Sequence, residues 1–213
     1  MTSRRQHWDT VYRTRDPQQV SWYQEDPARS LALIESTGVS TRARLIDVGG
    51  GASRLVDHLL AAGFVDVTVL DVAEAALAHA RDRLGSAAGE VTWIEGDVTT
   101  YPFARRYDLW HDRAVFHFLC DEADRNRYGA QVRTAVAPGG HVIIATFGLD
   151  GPDQCSGLPI VRYDSTAMTR ALGPGFAPVG FEEELHRTPA GGSQHFLYGH
   201  FRRVATGEDQ VGA

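Results

Sequence analysis

Lysine is absent from this chain: all 21 basic residues among its 213 are arginine. No Schiff base can therefore form on a lysine, no lysine can act as a general base, and no P-loop lysine can reach the phosphates of a nucleotide. The absence excludes several common mechanisms outright.

Cysteine is nearly absent as well. Cys120 and Cys155 are too few for a disulfide framework, and they lack the C-x-x-C spacing of a zinc site. We expect both thiols to be reduced, no metal site and a cytoplasmic location.

Long apolar runs and excess positive charge are missing too. No run of about 18 apolar residues occurs, and the polar residues 1–15 contain no apolar signal core. The formal net charge is -6, whereas a nucleic-acid binder needs a basic face. We expect a small-molecule substrate, with no nucleic-acid or membrane partner; the oligomeric state stays open.

After residue 43, short apolar runs alternate with helical patterns, which predicts an α/β fold. The predicted strands are 44–48, 66–71, 91–95, 107–112 and 140–146, and the predicted helices are 52–62, 73–84 and 121–136. Parallel neighbours need crossover helices, so this order predicts a mainly parallel sheet with helices on both faces. Asp121 is the expected N-cap of the third helix.

The two ends of the chain differ from this pattern. Strand-like segments at 176–186 and 194–204, separated by Gly191 and Gly192, predict an antiparallel hairpin at the sheet edge. We expect one domain over 1–204 and a frayed tail at 205–213. Residues 1–40 form an aromatic-rich arm that becomes helical from Pro27 to Ser36; it either packs on the domain or closes over a ligand.

The stretch "DVGGGAS", residues 47–53, places three glycines between a strand and a helix, where backbone N–H groups can approach a ligand. The dinucleotide pattern G-x-G-x-x-G, begun at Gly49, meets Arg54 instead of its third glycine. That mismatch, with the lack of a Tyr-x-x-x-Lys pair, disfavours an NAD(P)-dependent reductase. The pattern acid-x-G-x-G-x-G fits better, with Asp47, Gly49 and Gly51, and Ser53 in the last place.

With these residues, nearly the whole chain resembles a class I S-adenosylmethionine-dependent methyltransferase. The resemblance implies a Rossmann-like, doubly wound sheet of seven strands, mostly parallel, with a C-terminal antiparallel hairpin. It also implies S-adenosyl-L-methionine as cofactor and S-adenosyl-L-homocysteine as product. A cofactor-binding module without catalysis is the remaining alternative, and the filled set of acids at strand ends argues against it.

The resemblance assigns the cofactor's parts to particular residues. Asp47 and the turn of Gly49, Gly50 and Gly51 would hold its amino-acid part, with Ser53 either in that turn or capping the next helix. Asp71 would accept the ribose hydroxyls and Asp97 would meet the adenine amino group; a carboxylate suits both, since it only accepts hydrogen bonds. The adenine would be flanked by Val72 and Val98.

The segment after the fourth strand contains the catalytic candidates. Asp112 would face the methyl group and the substrate, His117 is either a general base or a packed histidine, and Arg113 either holds a substrate carboxylate or pairs with an acid. Later side chains are further candidates for the substrate pocket, and their spacing matches no defined metal site: Cys155, Arg162, Tyr163, His186, Gln194 and His195.

The arm is similar to that of small methyltransferases acting on thiols and thiopurines, and of compact protein lysine methyltransferases. The similarity implies that Tyr12, Trp22 and Tyr23, with Trp8, lie over the methionine end of the cofactor, where aromatic faces attract a sulfonium. Lysine methyltransferases tend to show acid-Lys-Gly at the end of strand 4, and this chain has Asp112, Arg113 and Ala114 instead. A small-molecule acceptor bearing a thiol, carboxylate, hydroxyl or amine is therefore favoured over protein lysine.

Overall fold

The computed structural model describes residues 4–204, and the predicted tail at 205–213 lies outside them. The helices are α1 Arg4–Thr14, α2 Ala28–Ser36, α3 Leu55–Ala61, α4 Glu74–Leu84, α5 Glu122–Ala135 and α6 Ser165–Leu172. The strands are β1 Leu45–Val48, β2 Val67–Asp71, β3 Val91–Glu95, β4 Tyr107–Arg113, β5 Val136–Phe147, β6 Gln154–Cys155, β7 Leu158–Pro159, β8 Phe176–Arg187 and β9 Ser193–Arg203.

Seven strands form one sheet in the order β3-β2-β1-β4-β5-β9-β8. The first five are parallel, and β9 and β8 add to them as an antiparallel hairpin. The predicted mixed sheet is confirmed. Strand order reverses between β1 and β4, and in open α/β sheets ligands bind at the carboxyl ends of the strands beside such a switch.

Two apolar clusters cover opposite faces of the sheet. One packs Tyr128 and Val132 of α5 and Met168 of α6 against the sheet, and the other packs helices α2, α3 and α4 through residues such as Leu33 and Leu59. Helices on both faces were predicted, and they leave the strand ends as the open part of the sheet.

The structure refines the local predictions. The arm contains a helix, α1, that was not predicted from its sequence; α1 is polar on most sides and packs against α4, and its Val11 and Tyr12 are buried. Helix α3 begins at Leu55 because the glycine turn continues to Arg54. Asp121 occupies the N-cap of α5 without a side-chain capping bond. Between β5 and α6 lies the short antiparallel pair β6 and β7.

Candidate functional site

Two adjoining pockets open at the carboxyl ends of β1, β2 and β4. Asp71, Val72, Asp97 and Val98 lie in the first pocket, which is also lined by Trp8. The second pocket is lined by Asp47, Gly50, Ser53 and Tyr23, and by Ser30 and His111. Tyr12, Trp22, Gly49 and Arg113 line both pockets. The two therefore form one groove that runs across the switch point.

In the glycine turn, residues 49–51, the backbone lies close to acidic side chains of this groove. Gly49 has φ +68°, and a Cβ there would lie 2.0 Å from Cγ2 of Val115. A Cβ on Gly50 would lie 2.5 Å from Oδ2 of Asp47, and one on Gly51, 2.6 Å from Oδ2 of Asp71. Gly51 lines neither pocket, so its contribution is the space it leaves for a carboxylate.

Asp71 is buried at the end of β2, with its Oδ1 accepting the Ala73 N–H at 2.8 Å. Burial raises the pKa of this carboxyl to about 7. A buried carboxylate is costly unless donors satisfy it. The site is thus suited to a ligand that brings hydroxyl groups to Asp71.

Asp97 is held by protein donors on both oxygens. Its Oδ1 accepts the Thr99 N–H at 2.8 Å and the Thr99 hydroxyl at 2.7 Å, and its Oδ2 lies 3.1 Å from Nη1 of Arg4. Arg4 also donates to Asp124 of α5 at 2.8 Å. Helix α1 is therefore held across the first pocket by its bond to Asp97, the acid that the family resemblance assigns to adenine.

The arm is fastened on its other side through Arg113. Nε of Arg113 donates to the Tyr198 hydroxyl at 3.0 Å, Nη1 donates to the Trp22 carbonyl at 2.9 Å, and the guanidinium lies 4.3 Å from the centre of the Phe196 ring. Nε1 of Trp22 donates to the Tyr12 hydroxyl at 3.2 Å. These bonds hold both aromatic rings where the two pockets meet.

Asp112 and His117 lie outside both pockets. Asp112 was expected to face the methyl group and the substrate, whereas His117 was expected to be either a general base or a packed histidine. Both side chains are fully buried. Asp112 accepts the Tyr128 hydroxyl at 2.7 Å and the Val115 N–H at 2.9 Å, so it shapes the turn after β4; burial raises its pKa to about 6. His117 packs against Phe147, and burial lowers its pKa to about 3. Neither is placed to take a proton from a substrate.

Of the later candidates, only Cys155 lines the first pocket. His186 and Gln194 instead bond Ser21 of the arm, at 2.9 Å to its carbonyl and 3.2 Å to its hydroxyl. The other three have partners away from the groove: Arg162 on the Leu149 carbonyl, Tyr163 stacked on Phe116, and His195 beside Glu183. Within residues 4–204, no group of three or more potential ligands is arranged to hold a metal ion.

Sequence reasoning missed two residues of the second pocket. His111 bonds Asp47 (Nδ1 to Oδ1, 2.7 Å) and Ser30 (Nε2 to Oγ, 2.9 Å), and all three side chains are buried. His111 pairs with Asp47 across β4 and β1. The available signal was a histidine, His111, on the strand beside Asp47. Recognising that the two residues lie opposite each other required the strand register, which the sequence does not give.

Comparison with known proteins relates the domain to methyltransferases. Residues 45–140 match the family model described as a methyltransferase domain. The chain is 23% identical over 144 residues to an eEF1A lysine and N-terminal methyltransferase of Danio rerio, covering 66% of this chain and 21% of that protein. It is 27% identical over 114 residues to nodulation protein S of Rhizobium tropici, covering 54% and 47%. The chain thus spans less than half the length of either curated relative.

Solved structures extend the similarity to nearly the whole fold. A protein solved in work on conversion of a disulfide bond into a thioacetal group during echinomycin biosynthesis superimposes with a TM-score of 0.79 at 18% identity, covering 98% of this chain and 96% of that one. The N-methyltransferase NodS from Bradyrhizobium japonicum WM9, in complex with S-adenosyl-L-homocysteine, gives 0.71 at 19% identity, covering 92% and 98%.

The fold is a Rossmann-like α/β fold with acids at the ends of its strands. More particularly, residues 45–140 match a methyltransferase domain, and the fold is the one seen in solved S-adenosylmethionine-dependent methyltransferases. The match favours a methyltransferase over the reductase. No helix among the described residues is long and apolar enough to cross a membrane.

Proposed function

We propose that this protein transfers the methyl group of S-adenosylmethionine to a small-molecule acceptor. The observation that carries the proposal is the single groove with Asp71 at one end, Asp47 at the other and aromatic rings between them. Its chemistry matches the cofactor, which has ribose hydroxyls on its nucleoside side, an ammonium at its amino-acid end and a sulfonium between them. The similarity in fold to NodS, an N-methyltransferase, supports an amine among the candidate acceptors.

The residues present fit the cofactor in one orientation. Asp71 would accept the ribose hydroxyls, Val72 and Val98 would flank the adenine, and Asp47 with the Gly49–Gly50 turn would hold the amino-acid part. Asp97 would reach the adenine amino group only by sharing its oxygens with Arg4 and Thr99. The bound cofactor supplies a methyl group that the sulfonium already activates.

The chain's own contribution is to hold and enclose the reactants. Tyr12 and Trp22 would lie beside the sulfonium, where aromatic faces stabilise positive charge. Trp8 closes the first pocket by packing edge-on against Phe118, with ring centres 5.1 Å apart. Enclosure favours transfer because it orients the acceptor and excludes water.

Neither pocket presents a histidine with a free ring nitrogen as a base. Among the described residues, no histidine lines the first pocket, and His111 of the second pocket bonds Asp47 and Ser30 through its two ring nitrogens. Tyr12, which lines both pockets, is a weak acid because burial raises its pKa, and Asp71 is assigned to the ribose hydroxyls. A carboxylate is ionised near neutral pH, and an amine or a thiol can lose its proton to solvent before it reacts, whereas an alcohol needs its proton removed as it reacts. We therefore favour the first three over a hydroxyl acceptor.

Protein lysine methylation is the second candidate, favoured by the similarity to the eEF1A lysine and N-terminal methyltransferase. Asp112, Arg113 and Ala114 stand against it, since they replace the acid-Lys-Gly sequence.

The test begins with calorimetric titration of S-adenosylmethionine and S-adenosylhomocysteine, with NADH as control. We expect micromolar binding of the first two and none of NADH. Radiolabelled methyl transfer is then measured to panels of small amines, thiols, carboxylic acids and alcohols, and in parallel to cell protein. Labelling of protein with no labelled small molecule would overturn the acceptor class, and failure to bind either cofactor would overturn the whole proposal.

A further inference from the structure

The carboxylate of Asp47 is held in place by a histidine that comes from the neighbouring strand. Asp47 and His111 are partners in the register of β1 and β4, and residues directly opposite in a sheet project from the same face. Nδ1 of His111 lies 2.7 Å from Oδ1 of Asp47. On the far side of the ring, Nε2 lies 2.9 Å from the hydroxyl of Ser30, in α2.

These three side chains form a buried, directional chain of hydrogen bonds. Asp47 is 3% exposed, His111 2% and Ser30 1%, so water does not compete for the bonds. An ionised carboxylate only accepts, which places a proton on Nδ1; a neutral ring then accepts the Ser30 hydroxyl proton at Nε2. The imidazole is thereby fixed from both sides.

Fixing Oδ1 leaves the other oxygen for the groove. Oδ2 of Asp47 lies at the glycine turn, 2.5 Å from where a Cβ of Gly50 would be, and Asp47 lines the second pocket. A carboxylate that is already aimed binds a cation without the cost of reorganising. Outer hydrogen-bond partners are known to tune ligands in this way at metal sites.

We infer that His111 and Ser30 are positioning residues, which orient Asp47 toward the ammonium of the cofactor's amino-acid part. The inference rests on the proposed orientation of the cofactor. It predicts that disturbing this chain weakens only ligands that carry the amino acid. Ligands that contain the nucleoside alone should not respond.

Two ligands test whether His111 acts on the amino-acid part alone or on the whole fold. They are S-adenosylhomocysteine and 5′-methylthioadenosine, which keeps the nucleoside and the sulfur but has no amino acid. Calorimetry on His111→Leu should show roughly 10- to 100-fold weaker binding of S-adenosylhomocysteine, the range seen when an outer partner is lost. Binding of 5′-methylthioadenosine should stay within twofold. His111→Asn, whose amide can still donate to Asp47, should recover most of the loss.

Ser30→Ala provides a second variant that keeps the ring in place, and Ser36→Ala is its matched control. Ser36 lies in the same helix but donates only to the Leu33 carbonyl, at 2.7 Å. We expect a several-fold loss for S-adenosylhomocysteine in Ser30→Ala and none in Ser36→Ala. In turnover, His111→Leu should raise KM for S-adenosylmethionine and leave kcat at saturation nearly unchanged.

Equal weakening of both ligands would show that His111 only supports the fold, and unchanged S-adenosylhomocysteine binding in both His111→Leu and Ser30→Ala would show that Asp47 needs no positioning. Either result overturns the inference. Failure of the unsubstituted protein to bind either ligand is a different outcome, because it overturns the proposed function and the inference with it. Should His111→Leu not fold, His111→Asn and Ser30→Ala decide the matter alone.

Discussion

Arg4 of the first helix and Asp97, which follows β3, are 93 residues apart in the chain and form an ion pair of 3.1 Å at the edge of the first pocket. The same guanidinium reaches Asp124 of α5. The arm is thus connected to the body of the sheet at the very acid that the family resemblance assigns to adenine.

Arg4→Ala should speed release of S-adenosylhomocysteine roughly three- to tenfold, because a partly buried ion pair contributes on the order of 1 kcal/mol. Stopped-flow displacement measures the rate. Arg5→Ala is the matched control, since Arg5 binds Glu95 from an exposed position and lines neither pocket. Equal rates for both variants would mean that α1 does not retain the ligand.

Asp71→Asn should change the pH dependence of both stability and binding. The pKa of Asp71 is raised from about 3.9 to about 7 in the folded protein, so the free energy of unfolding of the free protein should fall as pH rises through this window. Hydroxyl donors favour the ionised form, and affinity for S-adenosylhomocysteine should therefore rise over the same window.

In Asp71→Asn, neither the free energy of unfolding nor the affinity for S-adenosylhomocysteine should follow this pH dependence. At pH 8 the variant should bind more weakly than the unsubstituted protein without being less stable. Thermal unfolding and calorimetry between pH 5 and 8.5 measure them. Asp66→Asn is the control, because Asp66 pairs with Arg105 outside the groove. A pH trend in binding that survives in Asp71→Asn would assign it to another group.

Gly49→Ala should lower the free energy of unfolding by about 2 kcal/mol or more and abolish cofactor binding, since its Cβ would strike Val115 and its φ is +68°. Gly63→Ala isolates the backbone term: Gly63 has φ +87° with no atom near the added carbon, and should cost only about 1 kcal/mol. Denaturant unfolding compares the two, and equal losses would show that the collision is relieved by movement of Val115.

His117→Leu should leave kcat within about threefold, because the imidazole is buried outside both pockets. It should cost about 1 kcal/mol of stability, since Nδ1 accepts the Phe147 N–H at 3.3 Å. A large fall in kcat with an unchanged melting temperature would instead restore His117 as a base.

Arg113→Lys should behave differently from His117→Leu, because lysine cannot reproduce the planar fork that serves Tyr198 and the Trp22 carbonyl. We expect lower turnover together with a lower melting temperature. Arg162→Lys is a suitable control, since Arg162 is exposed and bonds loop carbonyls away from the groove. Full activity in Arg113→Lys would show that charge alone suffices.

Some elements were predictable because their determinants are local. The strands ending in Asp47 and Asp71 are short apolar runs followed by a turn, and the glycines of that turn mark where backbone must approach closely. The hairpin of β8 and β9 is similarly marked by Gly191 and Gly192.

Other features have determinants spread over the whole chain. Asp112 and His117 lie in the segment that the resemblance associates with substrate, but their burial depends on Tyr128 and Phe147, which come from α5 and β5. Helix α1 owes its stability to packing on α4, which its own polar sequence does not reveal.

The sequence by itself thus determined the α/β architecture and the acids at the strand ends, because period and turn chemistry are properties of neighbouring residues; the cofactor class was implied by the family resemblance. Only the tertiary structure decided which acids face the groove, that Arg4 and Arg113 fasten the arm, and that His111 and Ser30 hold Asp47. Those relationships join residues between 64 and 93 positions apart, and a distance of that kind is set by packing and register rather than by any local pattern.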